Sequence, residues 1–391
     1  MTEAQRSYVI PVQALPSWRR AVLKVGSNLL AADGGGLTPR YATALAEFVQ
    51  ASHAAGREVV LVSSGAVAAG RAQLRAHAPA SGDLAARQAL AALGQAPMIA
   101  LWQSLSPRPV AQVLLTHDDL RHRRRYLNAR ATLRELLSLG VLPVVNENDT
   151  VAVDELKLGD NDNLAAIVAA LVDADLLLIA SDIDALYTAD PRRDPSAIPL
   201  DRVESLTADV LAMAGGSGSE VGTGGMRTKL EAASKAAAAG IPTALFSGRD
   251  SSTVVALGQG QLRGTFFAAG RTRMQARKYW LRHAPAAAGH IRVDDGAVRA
   301  LAGGKASLLP GGVLDASGEF HRGDLVEIVE ASGRPVARGL TQYGAGEVKR
   351  LAGRHSRDID AVLGYSYGAE IVHRDDLASM VGFETAGDIE T

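Results

Sequence analysis

Between Ala21 and about Leu262, short runs of Val, Leu and Ile alternate with Ala-rich segments of helical spacing, and this alternation narrows the possible folds more than any other feature of the chain. The runs at 21–25, 58–62, 109–115, 141–145, 176–180 and 242–246 are short and almost continuously apolar, as expected of strands buried on both faces. Segments 41–55 and 127–139 between them read as helices. The pattern predicts a layered α/β domain around a mainly parallel sheet. In such a sheet, ligand-binding loops collect at the carboxyl ends of the strands.

The texture changes after residue 263. Residues 264–288 contain the Arg-rich, aromatic sequence Arg277-Lys278-Tyr279-Trp280 and then an Ala/Gly stretch, which reads as a connection. From Gly289, β-like runs at 290–293, 307–310, 324–329, 335–339 and 369–373 are punctuated by Gly and predict a small, mainly β domain. The sequence after Arg374 is polar and reads as a frayed tail. The expected organisation is an extension at 1–18, a first domain at 19–263, a linker at 264–288, a second domain at 289–375 and a tail at 376–391. A length of 391 residues with 47% apolar content suits two or three domains with a large core.

Charge and composition exclude several function classes. The formal net charge is −1, and residues 290–374 carry 11 basic and 11 acidic side chains, so overall electrostatics does not support nucleic acid or anionic membrane as a partner. A local patch at Lys349, Arg350, Arg354 and Arg357 is the one place where RNA binding stays open. Without Cys there is no disulfide, thiol nucleophile or thiolate metal site, which fits a reducing compartment. Residues 1–18 lack a signal-like apolar run and no segment reaches about 18 uninterrupted apolar residues, so the default expectation is cytoplasmic.

The chemistry concentrates in a few loops. Asn146-Glu147-Asn148-Asp149 follows one predicted strand, and Gly159-Asp160-Asn161-Asp162-Asn163 opens a predicted helix at 164–171. Carboxamides donate to a carboxylate and Asp accepts from an ammonium group, so paired loops of this composition suit a small zwitterion. Each alone also suits an ordinary turn. Asp160-Asn161-Asp162 mimics a calcium loop, but Ala165 and Leu171 stand where Gly and Glu are required. Lys24-Val25-Gly26-Ser27 and Ser63-Ser64-Gly65-Ala66 are strand-to-Gly turns at which backbone amides can approach anionic oxygens. Gly222-Thr223-Gly224-Gly225-Met226-Arg227-Thr228-Lys229 leads from a Gly/Ser-rich loop into a helix; it reads as a phosphate clamp or a flexible linker, and it is not a Walker A loop. Only seven of the 41 basic residues are Lys, and two of them sit in these glycine loops. A compact ammonium charge suits a phosphoryl group in transfer. Ser181-Asp182, after the 176–180 strand, adds a candidate ribose or base contact, or a helix cap.

Taken in order, LKVGSNLL, VLVSSGAVAAG, LPVVNENDTVAV, LGDNDNLAA, LIASDIDALYTADP and GTGGMRTKL resemble the glutamate 5-kinase branch of the amino acid kinase family. HRGDLVEI and DAVLGYSYGAEIVHRDD are similar to the PUA domain that follows the kinase domain in that branch. The likeness covers about residues 20–375. It implies a three-layer αβα sandwich followed by a small, mainly β PUA domain, and ATP-dependent phosphorylation of the side-chain carboxylate of L-glutamate, the first step of proline synthesis, with Mg2+ accompanying the nucleotide.

Carried over residue by residue, the resemblance makes Lys24 and Lys229 the cations that neutralise the transferring group, with Asp162 orienting them. Ser64, Asp149 and Asn161 would hold glutamate, helped by Asn146 and Asp160. Gly26, Ser181, Asp182, Thr223, Gly224, Gly225, Met226, Arg227 and Thr228, with both lysines, would contact ATP. Asn28 departs from the family's usual small hydroxyl residue, and Ser181 from its usual Thr. Feedback inhibition by proline and a homo-oligomeric state are further implications. A sister kinase acting on aspartate or carbamate and an RNA-binding regulator are the competing readings.

Overall fold

The computed structural model describes residues 10–31, 34, 36–75, 84–152, 161–213, 225–283, 287–303 and 306–380. Contacts divide the chain into two units, residues 1–273 and 274–391.

The strands of the first unit are β1 (Val12–Ala14), β2 (Arg20–Val25), β3 (Glu58–Ser63), β4 (Val110–Leu115), β5 (Leu142–Glu147), β6 (Leu176–Ser181), β7 (Leu186–Tyr187), β8 (Pro199–Leu200), β9 (Arg202–Val203), β10 (Thr243–Ser247) and β11 (Gln261–Phe267). The helices are α1 (Ser27–Leu30), α2 (Ala42–Ala54), α3 (Ala66–Leu74), α4 (Leu84–Leu105), α5 (His117–Arg121), α6 (Arg123–Ser138), α7 (Asn161–Leu171), α8 (Ala208–Ala212), α9 (Met226–Ala238) and α10 (Ser251–Gly258). The main sheet runs β1-β11-β10-β6-β2-β3-β5-β4, with β9 alongside β11. From β10 to β4 every neighbouring pair is parallel, whereas β11 pairs antiparallel with both β10 and β1.

Period-2 alternation along the buried strands feeds two separate cores. Leu23, Val25, Leu61, Val144 and Phe246 pack with Leu45, Phe48, Met98 and Trp102 on the face covered by α2 and α4. Val22, Val60, Val62, Val145 and Ile179 pack with Leu133, Leu164, Val168, Leu230 and Ala233 on the face covered by α6, α7 and α9. This is the three-layer αβα sandwich. The alternation also positions the site: Lys24 shares its face with Val22, so its side chain is directed towards α7 and α9.

The strand β11 runs past the end expected for the first domain at 263, and the break between units, at Arg273/Met274, falls within the 264–288 stretch expected to connect the domains. Where a linker was expected, α11 (Arg273–His283) forms. The second unit continues with β12 (Gly289–Val293), α12 (Asp295–Ala302), β13 (Val313–Gly318), β14 (Leu325–Val329), β15 (Pro335–Thr341), α13 (Ala345–Leu351), α14 (Ile359–Leu363) and β16 (Val372–Ser379). Its mixed sheet is ordered β13-β12-β14-β15-β16 around Ile291, Val326, Ile328, Val336, Tyr343 and Leu351.

Two expectations for this unit need correction. Residues 307–310 are not a strand: Leu308 makes one isolated bridge to Val372, and a 3-10 turn starts at Pro310. The tail expected from 376 includes β16 up to Ser379, because Asp376 is buried and paired with Arg277 of α11, an ion pair that no local pattern reveals.

Candidate active site

Parallel pairing of β6, β2, β3 and β5 brings their carboxyl ends to one edge of the sheet, where a cavity of about 370 Å³ opens. That lies within the range of roughly 300–1,000 Å³ usual for small-ligand sites. Lys24, Gly26, Ser64, Asn146, Asp149, Asn161, Ser181, Asp182 and Lys229 all line it.

At its base, one carboxylate holds two ammonium groups. Lys24 Nζ lies 2.7 Å from Asp162 Oδ1, and Lys229 Nζ lies 3.1 Å from Asp162 Oδ2. The side chains are almost completely buried, 6% exposed for each lysine and 1% for Asp162. Three elements converge to make the cluster: the end of β2, the first turn of α7 and the first turn of α9. A carboxylate in the first turn of α7 is also favoured by the helix dipole. Burial alone would raise the Asp162 pKa. The charges of Lys24 and then Lys229, with hydrogen bonds from Lys24 and the Thr228 hydroxyl, overcome it and hold the carboxyl well below the usual carboxylate range. Burial lowers the Lys229 pKa and Lys24 adds to that, while Asp162 opposes both. A Cβ on Gly26 would stand 3.6 Å from Lys24 Nζ, so the glycine keeps the approach to that ammonium open.

Beside this cluster, Asn161 Nδ2 donates to Asn146 Oδ1 at 2.8 Å and to Ser64 Oγ at 2.9 Å. Asn161 Oδ1 is buried and accepts no hydrogen bond from the described residues, leaving an acceptor for a ligand. The Ser64–Gly65 turn is held from behind: Trp102 Nε1 donates to Ser63 Oγ at 2.8 Å, and the Ser64 amide donates to Val25 O. Gly65 has φ +109°, a left-handed conformation that starts α3 and that other residues adopt only with strain. Asp149 is only 7% exposed. Burial pushes its carboxyl pKa up to about 6, against the charge of Arg87 and a backbone hydrogen bond. At the other end of the cavity, Asn28 Nδ2 donates to Asp182 Oδ2 at 3.0 Å, and Arg249 approaches the same oxygen at 3.8 Å. Burial would raise the Asp182 pKa, but the Asn28 hydrogen bond and the Arg249 charge leave it lowered.

The profile of the Amino acid kinase family matches residues 19–247, and that of the PUA domain matches residues 289–363. The chain belongs to the amino acid kinase family. It is 70% identical over 359 residues to a glutamate 5-kinase of Xanthomonas euvesicatoria pv. vesicatoria (strain 85-10), covering 91% of this chain and 99% of that one. It is 67% identical over 371 residues to a glutamate 5-kinase of Xylella fastidiosa (strain M12), covering 94% and 97%. As a member of this family with a C-terminal PUA domain, the chain is a phosphotransferase.

Not every residue singled out from the kinase motifs reaches the cavity. Asp160, Thr223 and Gly224 lie outside the described residues. Gly225 caps α9, and Thr228 Oγ1 lies 2.7 Å from Asp162 Oδ2, so Thr228 supports the ion cluster. Met226 packs on the core beneath α9, and the largely exposed Arg227 pairs with Glu231. Asn146 and Glu147 are the last residues of β5, not loop residues, and α7 begins at Asn161, three residues before the helix start expected at 164.

The cavity also contains Asn28, Arg71, Arg87 and Glu147, to which the motifs gave no role. A signal for the two arginines was present. Arg87 is the one charged residue in the 22-residue α4, and Arg71 the one in α3. These helices meet at backbone distance, since a Cβ on Gly70 would fall 1.9 Å from Leu90 O and one on Gly94 1.7 Å from Ala66 O.

Proposed function

We propose that the chain transfers the γ-phosphoryl group of ATP to the side-chain carboxylate of L-glutamate, giving γ-glutamyl phosphate and ADP. The observation that carries the proposal is the pair of buried ammonium groups fixed on the two oxygens of Asp162, in one cavity with Ser64, Asn146, Asp149 and Asn161. The names of the relatives support glutamate as the acceptor.

A carboxylate is already ionised at neutral pH, so the reaction needs no general base. The acceptor oxygen forms a bond to the γ-phosphorus as the β–γ bridging bond breaks, and charge moves from the carboxylate to the departing ADP. Catalysis then rests on position and charge. Lys24 and Lys229, held apart by one carboxylate, would neutralise the phosphoryl oxygens during transfer, with the Gly65 amide beside them. Asp149 and the vacant acceptor on Asn161 suit the ammonium group of the amino acid. Asp182 with Asn28 suits the nucleotide's hydroxyl or amino groups.

The described residues contain no group of three His, Asp or Glu that could hold a metal, and both oxygens of Asp162 are engaged by cations. The described residues therefore offer no cage for Mg2+, which fits a cation brought in on the nucleotide's phosphates. Proline shares the ammonium and α-carboxylate of glutamate and would compete for the Asp149 end. Among the described residues, no helix is long and apolar enough to cross a membrane.

The test is ATP-dependent hydroxamate formation with hydroxylamine, run in parallel on L-glutamate, L-aspartate and N-acetyl-L-glutamate. Product from glutamate alone is expected. Product from aspartate or N-acetylglutamate in preference to glutamate would reassign the acceptor.

A further inference from the structure

The acceptor end of the cavity carries a charge that the phosphoryl chemistry does not use. Lys24 and Lys229 already serve the transferring group, yet Arg87 also lines the cavity. It lies in the first turn of α4, where a cation opposes the helix dipole, so helix electrostatics does not explain it. Its guanidinium makes no hydrogen bond or ion pair with the described residues. Its charge is felt by Asp149, just beyond the end of β5, and β5 is two strands away from β2, which carries Lys24. At the usual strand spacing that is about 10 Å. A cation this far from the transfer point calls for a second anionic group on the acceptor, remote from the carboxylate that is phosphorylated.

We propose that Arg87 binds the α-carboxylate of the acceptor, so that Asp149 and Arg87 together form a receptor for the zwitterionic head of an amino acid. The inference rests on the glutamate reading above and adds the residue that demands an α-carboxylate. α3 and α4 pack closely and antiparallel through Gly70 and Gly94, which sets the start of α4 beside the later part of α3, and Arg87 lines the same cavity as Ser64 and Asp149. A planar guanidinium accepts a carboxylate by two parallel hydrogen bonds, which a lysine does not reproduce.

Two competitive inhibitors separate this role from a structural one. 4-Aminobutyrate keeps the ammonium and the terminal carboxylate of glutamate but lacks the α-carboxylate; glutarate keeps both carboxylates but lacks the ammonium. Relative to wild type, R87A should raise KM for glutamate and Ki for glutarate by about 10- to 100-fold, with kcat changing far less, and leave Ki for 4-aminobutyrate within about two-fold. R87K should fall between wild type and R87A for glutamate. Equal losses for glutamate and 4-aminobutyrate would overturn the proposal, because Arg87 would then act through Asp149 or through the fold. Unchanged glutamate kinetics in R87A would overturn it as well. If R87A does not fold, R87K gives the same comparison on a smaller scale. Wild-type protein that forms no hydroxamate from glutamate would remove the function reading and this inference together, whereas wild-type turnover with parallel losses removes the Arg87 role alone.

Discussion

Replacing Asp162 by Asn removes the one negative charge that two buried lysines share. The change is nearly isosteric and keeps α7 intact, so its effect reports on charge. Breaking a buried ion pair from one side costs about 3–5 kcal/mol, because the remaining charge stays desolvated. With side-chain exposures of 1% and 6%, solvent does little to screen that cost. The unit comprises residues 1–273, for which an unfolding entropy of about 2.1 cal/mol/K per residue gives roughly 0.57 kcal/mol/K. The expected loss is therefore about 5–9 °C in the melting temperature of this unit in anion-poor buffer. Phosphate or a non-hydrolysable ATP analogue should then stabilise D162N more than wild type, since its oxygens supply the charge the mutant lacks. Calorimetry with and without phosphate reads both effects. A D162N melting temperature within about 1 °C of wild type, together with an unchanged phosphate shift, would refute the claim that Asp162 holds two protonated lysines.

Further consequences are open to direct measurement. Asp149, with its pKa pushed up to about 6, must be ionised to accept an ammonium group, so kcat/KM for glutamate should fall as pH drops through about 6, by roughly ten-fold per unit. D149N should flatten that limb; a limb that persists in D149N assigns it elsewhere. The two carboxylates contribute to stability with opposite sign. Asp162, lowered, stabilises above the ordinary carboxylate pKa and loses this as pH falls; Asp149, raised, costs stability progressively as pH rises from about 4 to 6. Lys24→Ala should act mainly on kcat and Asp149→Ala mainly on the KM for glutamate, and steady-state kinetics showing equal losses in both parameters for both variants would contradict the assigned roles. Gly94→Ala places a Cβ 1.7 Å from Ala66 O, so it should destabilise by about 1–3 kcal/mol or more and disturb the Ser64 turn. Urea unfolding and the KM for glutamate report the two effects separately.

The sequence announced the parallel core because strands buried on both faces must be largely apolar, and β2, β3, β5, β6 and β10 are, apart from Lys24 and the polar residues at their ends. It concealed β11, whose Gln261-Leu262-Arg263-Gly264 start breaks the apolar run. Gly264 is there because a Cβ would meet Leu245 O at 2.1 Å, a constraint set by the neighbouring strand. It concealed β16 for a related reason: the polarity of Asp376 is satisfied by Arg277, 99 residues away in sequence. The ion cluster was legible residue by residue through the family motifs, but the sharing of one carboxylate by two lysines depends on β2, α7 and α9 meeting at a point. Arg87 stood outside every motif. Its isolation as the single charge on an otherwise uncharged helix is a signal that single-motif reading passes over.

The central claim, that a side-chain carboxylate oxygen of glutamate attacks the terminal phosphorus of ATP, is tested most directly by oxygen transfer. L-Glutamate labelled with 18O in its side-chain carboxylate is turned over with ATP and hydroxylamine, and the phosphate released is examined by 31P NMR for the isotope shift. Hydroxylamine displaces phosphate by cleaving the bond between carbon and the bridging oxygen, so direct transfer predicts one 18O in each phosphate, formed in step with the hydroxamate. Unlabelled phosphate would mean that water, not the carboxylate, receives the phosphoryl group, and would contradict the account.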